Sequence, residues 1–92
     1  MKIEWSANAV ADLQNISEFI ERDRNLDTAN RISRAIFEAA QSLLRLPYRG
    51  RLGRVEGTRE LLVLPLPYVV VYRIAAERIL IVNIVHGAQR WP

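Results

Sequence analysis

Cysteine is absent from the 92 residues, and histidine occurs once, at position 86. The first absence excludes disulfides, iron–sulfur clusters and thiolate zinc sites. The second excludes a metal centre built from histidines. Lysine is scarce too: twelve of the thirteen basic residues are arginine. Long apolar runs are missing, because Pro65 and Pro67 interrupt Leu61–Tyr72, well short of the roughly 20 residues that a membrane-spanning helix needs. The opening Met1-Lys2-Ile3-Glu4-Trp5 lacks the apolar core of a signal peptide. What is present is half apolar and a quarter charged, the mix of a globular chain rather than a disordered one. The expectation is a soluble, cytoplasmic, cofactor-free protein with one domain over residues 1–92 and no membrane association.

Charge is unevenly distributed. Residues 1–46 carry six basic and seven acidic groups, a balance of −1. Residues 47–92 carry seven arginines (49, 51, 54, 59, 73, 78 and 90) against Glu56, Glu60 and Glu77, a balance of +4. A planar guanidinium with five donors suits phosphate, carboxylate and buried partners. A GC-rich genome also explains the choice of arginine over lysine, but the asymmetry between the halves survives either explanation.

Periodicity divides the chain at Pro47. Lys2–Trp5 alternates as a short strand, and Ser6 can cap a following helix. Val10, Leu13, Ile16 and Ile20, with Ala9 and Phe19, mark one helical face from about Ala7 to Arg22. After a turn at Arg24-Asn25-Leu26, Asp27 is the expected cap of a second helix. Ile32, Ile36, Ala39, Ala40 and Leu43 line that helix until Pro47 stops it. Glu18–Arg22, Asp27–Arg31 and Arg34–Glu38 are spaced to pair on exposed helical faces. Beyond Pro47 the period changes. Arg59–Leu64, Tyr68–Ala75 and Arg78–His86 read as strands, with a further short one around Leu52–Val55. The fold class is therefore α+β: an N-terminal strand, a two-helix antiparallel hairpin, then an antiparallel meander of three or four strands.

Strict alternation places Ile79, Ile81, Asn83 and Val85 on one face of the last strand, and Leu80, Val82 and Ile84 on the other. In Tyr68–Ile74, Val69 and Val71 oppose Val70, Tyr72 and Ile74. A one-sided sheet should alternate apolar with polar residues, and these strands mostly do not. The helices can cover one face; something else must cover much of the other.

Several residues invite chemistry. Gly50-x-x-Gly53 lacks the strand–loop–helix setting of a phosphate loop and reads as a turn. Metal-dependent hydrolysis would need clustered carboxylates, and Glu56, Glu60 and Glu77 are scattered. His86, at a strand end, could act as a general acid near neutral pH or make a structural hydrogen bond. Arg59 and Arg73 could be aimed at developing phosphorane charge or could pair with Glu56, Glu60 or Glu77. Arg90 and Trp91 combine a cation and an aromatic of the kind found at binding hot spots; alternatively, Trp91 docks on its own domain.

The order of elements then meets specific residues. Ser6, Ala9, Asp12-Leu13 and Ile16 resemble the opening of the RelE/ParE toxin superfamily. So do Gly50-Arg51-x-Gly53-Arg54, Thr58-Arg59-Glu60-Leu61 and Pro67-Tyr68-x-Val70-Val71-Tyr72-Arg73. The ending Val85-His86-Gly87-Ala88-Gln89-Arg90-Trp91-Pro92 is similar to that of ParE-like members, and the resemblance spans the whole chain. It implies the toxin of a bacterial type II toxin–antitoxin pair, bound by a cognate antitoxin whose C-terminal segment folds on it. The ParE-like branch implies inhibition of DNA gyrase, with Arg49, Arg51, Arg54, Arg59, Arg73, His86, Arg90 and Trp91 as candidate target contacts. The RelE-like branch implies metal-independent cleavage of messenger RNA on the ribosome, with Arg59, Arg73 and His86 acting and Glu56 or Glu60 as base. A third reading is a degenerate member that only binds antitoxin. The nuclease branch usually carries arginine three positions before the tyrosine of the Tyr68–Tyr72 strand; here that residue is Val69, which cannot stabilise a phosphorane. No cofactor or metal is expected in either branch.

Overall fold

Ser6 explains how the chain turns from strand to helix. Its hydroxyl accepts from the Ala9 amide at 3.0 Å, satisfying one of the first-turn donors that have no intrahelical partner. In the computed structural model, which describes residues 1–87 and 91–92, strand β1 (Lys2–Trp5) therefore passes directly into helix α1 (Ala7–Asp23). Helix α2 (Leu26–Gln41) begins at Asn25, whose Oδ1 accepts from the Thr28 amide at 2.8 Å. The expected cap, Asp27, instead lies in the first turn, where a negative charge favours the helix dipole. A 3-10 turn over Ser42–Leu44 follows and carries the buried Leu43. Strands β2 (Arg51–Leu52), β3 (Arg59–Leu62), β4 (Tyr68–Ala75) and β5 (Arg78–His86) complete the chain.

All five strands form one sheet in the order β1-β5-β4-β3-β2. The meander is antiparallel, and β1 returns to lie parallel beside β5, from Lys2 opposite Arg78 to Trp5 opposite Ile81. The α-hairpin covers one face. Ala9, Ala29 and Ala40 are fully buried, so the helices approach closely, while Ile36 and Leu43 reach Val70, Tyr72, Ile79, Ile81 and Ile84.

Strict alternation fails in β5. Tyr72 pairs with Ile81, but Val71 pairs with Asn83, so Val82 is an extra residue in β5. This bulge shifts the phase, which puts Ile84 on the helix side with Ile79 and Ile81 and returns Val85 to the outer side. Helix α1 holds the bulge at two points. The Ser6 hydroxyl donates to the Val82 carbonyl at 2.8 Å; Asp12 Oδ2 accepts from Asn83 Nδ2 and from the Ile84 amide, both at 2.9 Å.

The outer face answers the question of cover from within the chain. Val69, Val71 and Val85 form a second buried cluster, with Val82 and Trp91 packed against it. The spaced helical charge pairs do not form. Among the described residues the ion pairs are Asp23–Arg24, Glu4–Arg78 and the contacts of Glu60 with Arg51 and Arg54. Exposed pairs gain too little to hold two long side chains in one geometry.

Candidate target-binding surface

The basic segment after Pro47 is held by Tyr72. This side chain is fully buried, and its hydroxyl donates to the Pro47 carbonyl at 2.7 Å while accepting from the Gly50 amide at 2.9 Å. Burial raises the Tyr72 pKa, against the lowering effects of the Gly50 amide and the charges of Arg59 and Arg49. Gly50 lies so close that a Cβ there would sit 2.7 Å from the hydroxyl, which explains the glycine. The turn before β3 closes by a bond from the Gly53 amide to the Thr58 carbonyl at 2.8 Å, with Gly57 at φ +82°, a conformation that costs other residues energy.

Glu60 is the charged residue at the centre of this region, only 2% exposed. One carboxylate oxygen accepts from Arg51 Nη2 at 3.0 Å; the other accepts from the Arg54 amide at 3.0 Å, with Arg54 Nε at 3.8 Å. Burial alone would push its pKa up. The Arg54 amide, the Arg51 hydrogen bond and the two guanidinium charges outweigh that and hold it below the usual carboxylate value. A carboxylate so stabilised is a weak base.

Neither Arg59 nor Arg73 pairs with a carboxylate among the described residues. Arg59 donates to the carbonyls of Gly50 at 2.7 Å and Tyr48 at 3.4 Å, and its guanidinium lies 5.0 Å from the centre of the exposed Tyr48 ring. Arg73 donates to the Glu56 carbonyl at 3.2 Å. Each arginine thus ties a loop to the sheet. They do so from opposite sides: Arg59 is paired with the inward-facing Tyr72, whereas Arg73 follows Val69 and Val71 on the outer side.

The expected residues therefore divide into groups. Arg51, Arg54, Glu60 and Arg73 share the outer side near one end of the sheet. Arg59 and Tyr48 lie on the inner side, and Arg49 donates to the Ser42 hydroxyl at 2.7 Å. Glu56 is exposed in the turn. His86 pairs across the ladder with Tyr68, its ring edge-on at 5.6 Å. That is four residues along β4 from Tyr72, roughly 13 Å at the usual strand rise. Trp91 lies on the outer valine cluster, and Arg90 is outside the described residues. The reading from residues alone did not single out Tyr48; its signal was an aromatic directly before the arginine run. No group of three or more acidic or histidine side chains among the described residues could hold a metal ion. No helix there is long and apolar enough to cross a membrane.

Comparison with known proteins bears directly on this arrangement. The family model for the ParE toxin of type II toxin–antitoxin systems matches residues 3–91. The chain belongs to the ParE toxin family. A putative toxin of Sinorhizobium fredii is 36% identical over 91 residues, covering 99% of this chain and 93% of the relative. Toxin RelE2 of Caulobacter vibrioides is 39% identical over 88 residues, 96% and 97% of the two chains. Among solved structures, a chain of the chromosomal ParDE system from P. aeruginosa superposes with a TM-score of 0.88 at 25% identity, covering 94% of this chain and 95% of that one. A chain of the RelBE2 toxin–antitoxin complex of Mycobacterium tuberculosis gives 0.68 at 25% identity, over 92% and 95%. For this ParE-family toxin the α-hairpin on an antiparallel meander is thus the family architecture.

Proposed function

We propose that this toxin acts by binding DNA gyrase in the cytoplasm, and that a cognate antitoxin holds it silent. The observation that carries this reading is the divergence of the groups that metal-free RNA cleavage would need. Arg59 and Arg73 lie on opposite sides of the sheet, both spent on loop carbonyls. His86, at the end of β5, lies opposite Tyr68 at the other end of β4 from Arg73. Glu60 is committed to Arg51 and Arg54. Transition-state stabilisation requires donors aimed at one point, and an acid and a base within hydrogen-bond reach of it. Val69, at the position where nuclease members usually carry arginine, is packed in the outer cluster. A binding inhibitor needs no such convergence; it needs a shaped, charged surface, which the outer side supplies through Arg51, Arg54 and Arg73.

The test uses purified components. The chain should inhibit supercoiling by gyrase, and adding antitoxin should restore it. In a parallel reaction with programmed ribosomes, messenger RNA should remain intact. Ribosome-dependent cleavage that is lost in Arg73→Ala or His86→Ala would replace this reading with the nuclease one.

A further inference from the structure

The arginines on the outer side supply charge, which steers a partner and sets specificity more than it supplies affinity. Affinity comes mainly from a few aromatic and arginine anchors in an apolar setting. Such a setting lies just around the sheet edge. Arg51 faces the outer side with Glu60, and the next residue of β2, Leu52, faces the inner side opposite Arg59. There Leu46, Tyr48 and Leu52 are 62%, 69% and 78% exposed. A single exposed apolar side chain calls for no explanation; three large ones around one ring do.

Tyr48 is the wall between two shallow cavities. One, of about 350 Å³, is lined by Leu46, Pro47 and Arg49; the other, of about 230 Å³, by Leu52, Arg59 and Ile74. The ring is also well held. The Tyr72 hydroxyl fixes the Pro47 carbonyl and the Gly50 amide on either side of it in the chain. The Arg59 guanidinium, tied to the Gly50 and Tyr48 carbonyls, lies 5.0 Å from its centre. An aromatic presented in this way loses little conformational freedom when a partner closes on it. No acidic side chain lines either cavity among the described residues. Neither Arg49 nor Arg59 has a carboxylate within ion-pair distance there.

We propose that Tyr48, with Leu46 and Leu52 beside it, is the anchor by which this toxin grips its target protein, a role that rests on the binding-inhibitor reading above. The matching surface carries an apolar side chain that packs on the Tyr48 ring and carboxylates that meet Arg49 and Arg59. Leucines rather than lysines border the ring, which favours a protein over a nucleic acid as the occupant. Arg51 continues the same contact over the edge to the outer side.

Growth and binding assays on the full chain test this with Tyr48→Ala and Arg49→Glu, and with Tyr48→Phe as the conservative control. Induced without antitoxin, the wild type and Tyr48→Phe should arrest growth, whereas Tyr48→Ala and Arg49→Glu should not. Because both positions are exposed, circular dichroism spectra and co-purification with cognate antitoxin should match the wild type throughout. Half-inhibition of supercoiling by purified gyrase should require about tenfold more of either deficient variant, or greater. Growth arrest by Tyr48→Ala at wild-type strength would overturn the proposal. So would a parallel loss of antitoxin co-purification, which would assign the patch to the antitoxin, or a Tyr48-dependent cleavage of messenger RNA on ribosomes, which would assign it to RNA. Tyr48-dependent growth arrest by a wild type that leaves both gyrase and messenger RNA untouched would support the anchor and overturn gyrase as the target. Absence of growth arrest by the wild type would overturn both.

Discussion

Tyr72→Phe removes one oxygen atom from the centre of the molecule and nothing else. The ring stays, so apolar packing against Ile36 and Val70 is preserved. What is lost is the bond to the Pro47 carbonyl at 2.7 Å and the bond from the Gly50 amide at 2.9 Å. Gly50 is buried, so its amide is left without a partner, at a cost of about 1–3 kcal/mol. The carbonyl of the half-buried Pro47 can be rehydrated, adding only about 0.5–1.5 kcal/mol. The expected loss is about 2–4 kcal/mol, which for a domain of this size lowers Tm by roughly 10–25 °C. Thermal unfolding followed by circular dichroism measures it, and hydrogen exchange at Gly50 should accelerate in parallel. A second signature follows from the sign of the pKa shift. The folded state holds Tyr72 protonated at a pH where the unfolded chain ionises. The wild type should therefore lose stability as pH rises above about 10, and the phenylalanine variant should lose less. A loss below about 0.5 kcal/mol with unchanged exchange at Gly50 would refute the assignment of Tyr72 as the anchor of the basic loop.

Trp91→Ala should destabilise the fold by about 1–3 kcal/mol, less than for a fully buried tryptophan, because the ring covers Val69, Val71 and Val85 from a half-exposed position; an unchanged melt would show that the tail does not dock. Asp12→Ala leaves the Ile84 amide and Asn83 unpaired and should cost about 2–3 kcal/mol, read as a shift in the urea midpoint. The contribution of Glu60, whose folded pKa is depressed, should be complete above its unfolded value near 4.3 and vanish as pH falls through the folded one. The stability gap between wild type and Glu60→Gln should accordingly be widest near pH 7, narrow as pH falls below about 4.3, and close only once pH has passed below the folded value; a gap constant with pH would contradict the ionic role.

The elements that depend on local signals were legible in the sequence. Ser6, the helical spacing through Ile20, and the valine-rich runs Tyr68–Ala75 and Arg78–His86 all lie where periodicity places them. Contacts between distant segments were not. The parallel pairing of β1 with β5 joins residues some seventy-six apart, and no local pattern announces it. The bulge at Val82 is invisible in composition, because Val82, Ile84 and Val85 are all apolar and either phase satisfies them; only Asp12 and Ser6, far along the chain, select one. The same gap separates candidate site residues from a site. Arg59 and Arg73 look equivalent along the chain, and only the pairing of Arg59 with Tyr72 shows that they face opposite ways. Trp91 could have served target or core, and the valines beneath it show which contact it makes.

The central claim, a toxin that works by binding gyrase rather than by cutting RNA, is tested most directly in cells. The chain is induced without antitoxin, and incorporation of labelled thymidine and labelled methionine is followed over the first minutes. The account predicts that DNA synthesis falls first while protein synthesis continues. An early collapse of protein synthesis with DNA synthesis intact would contradict it.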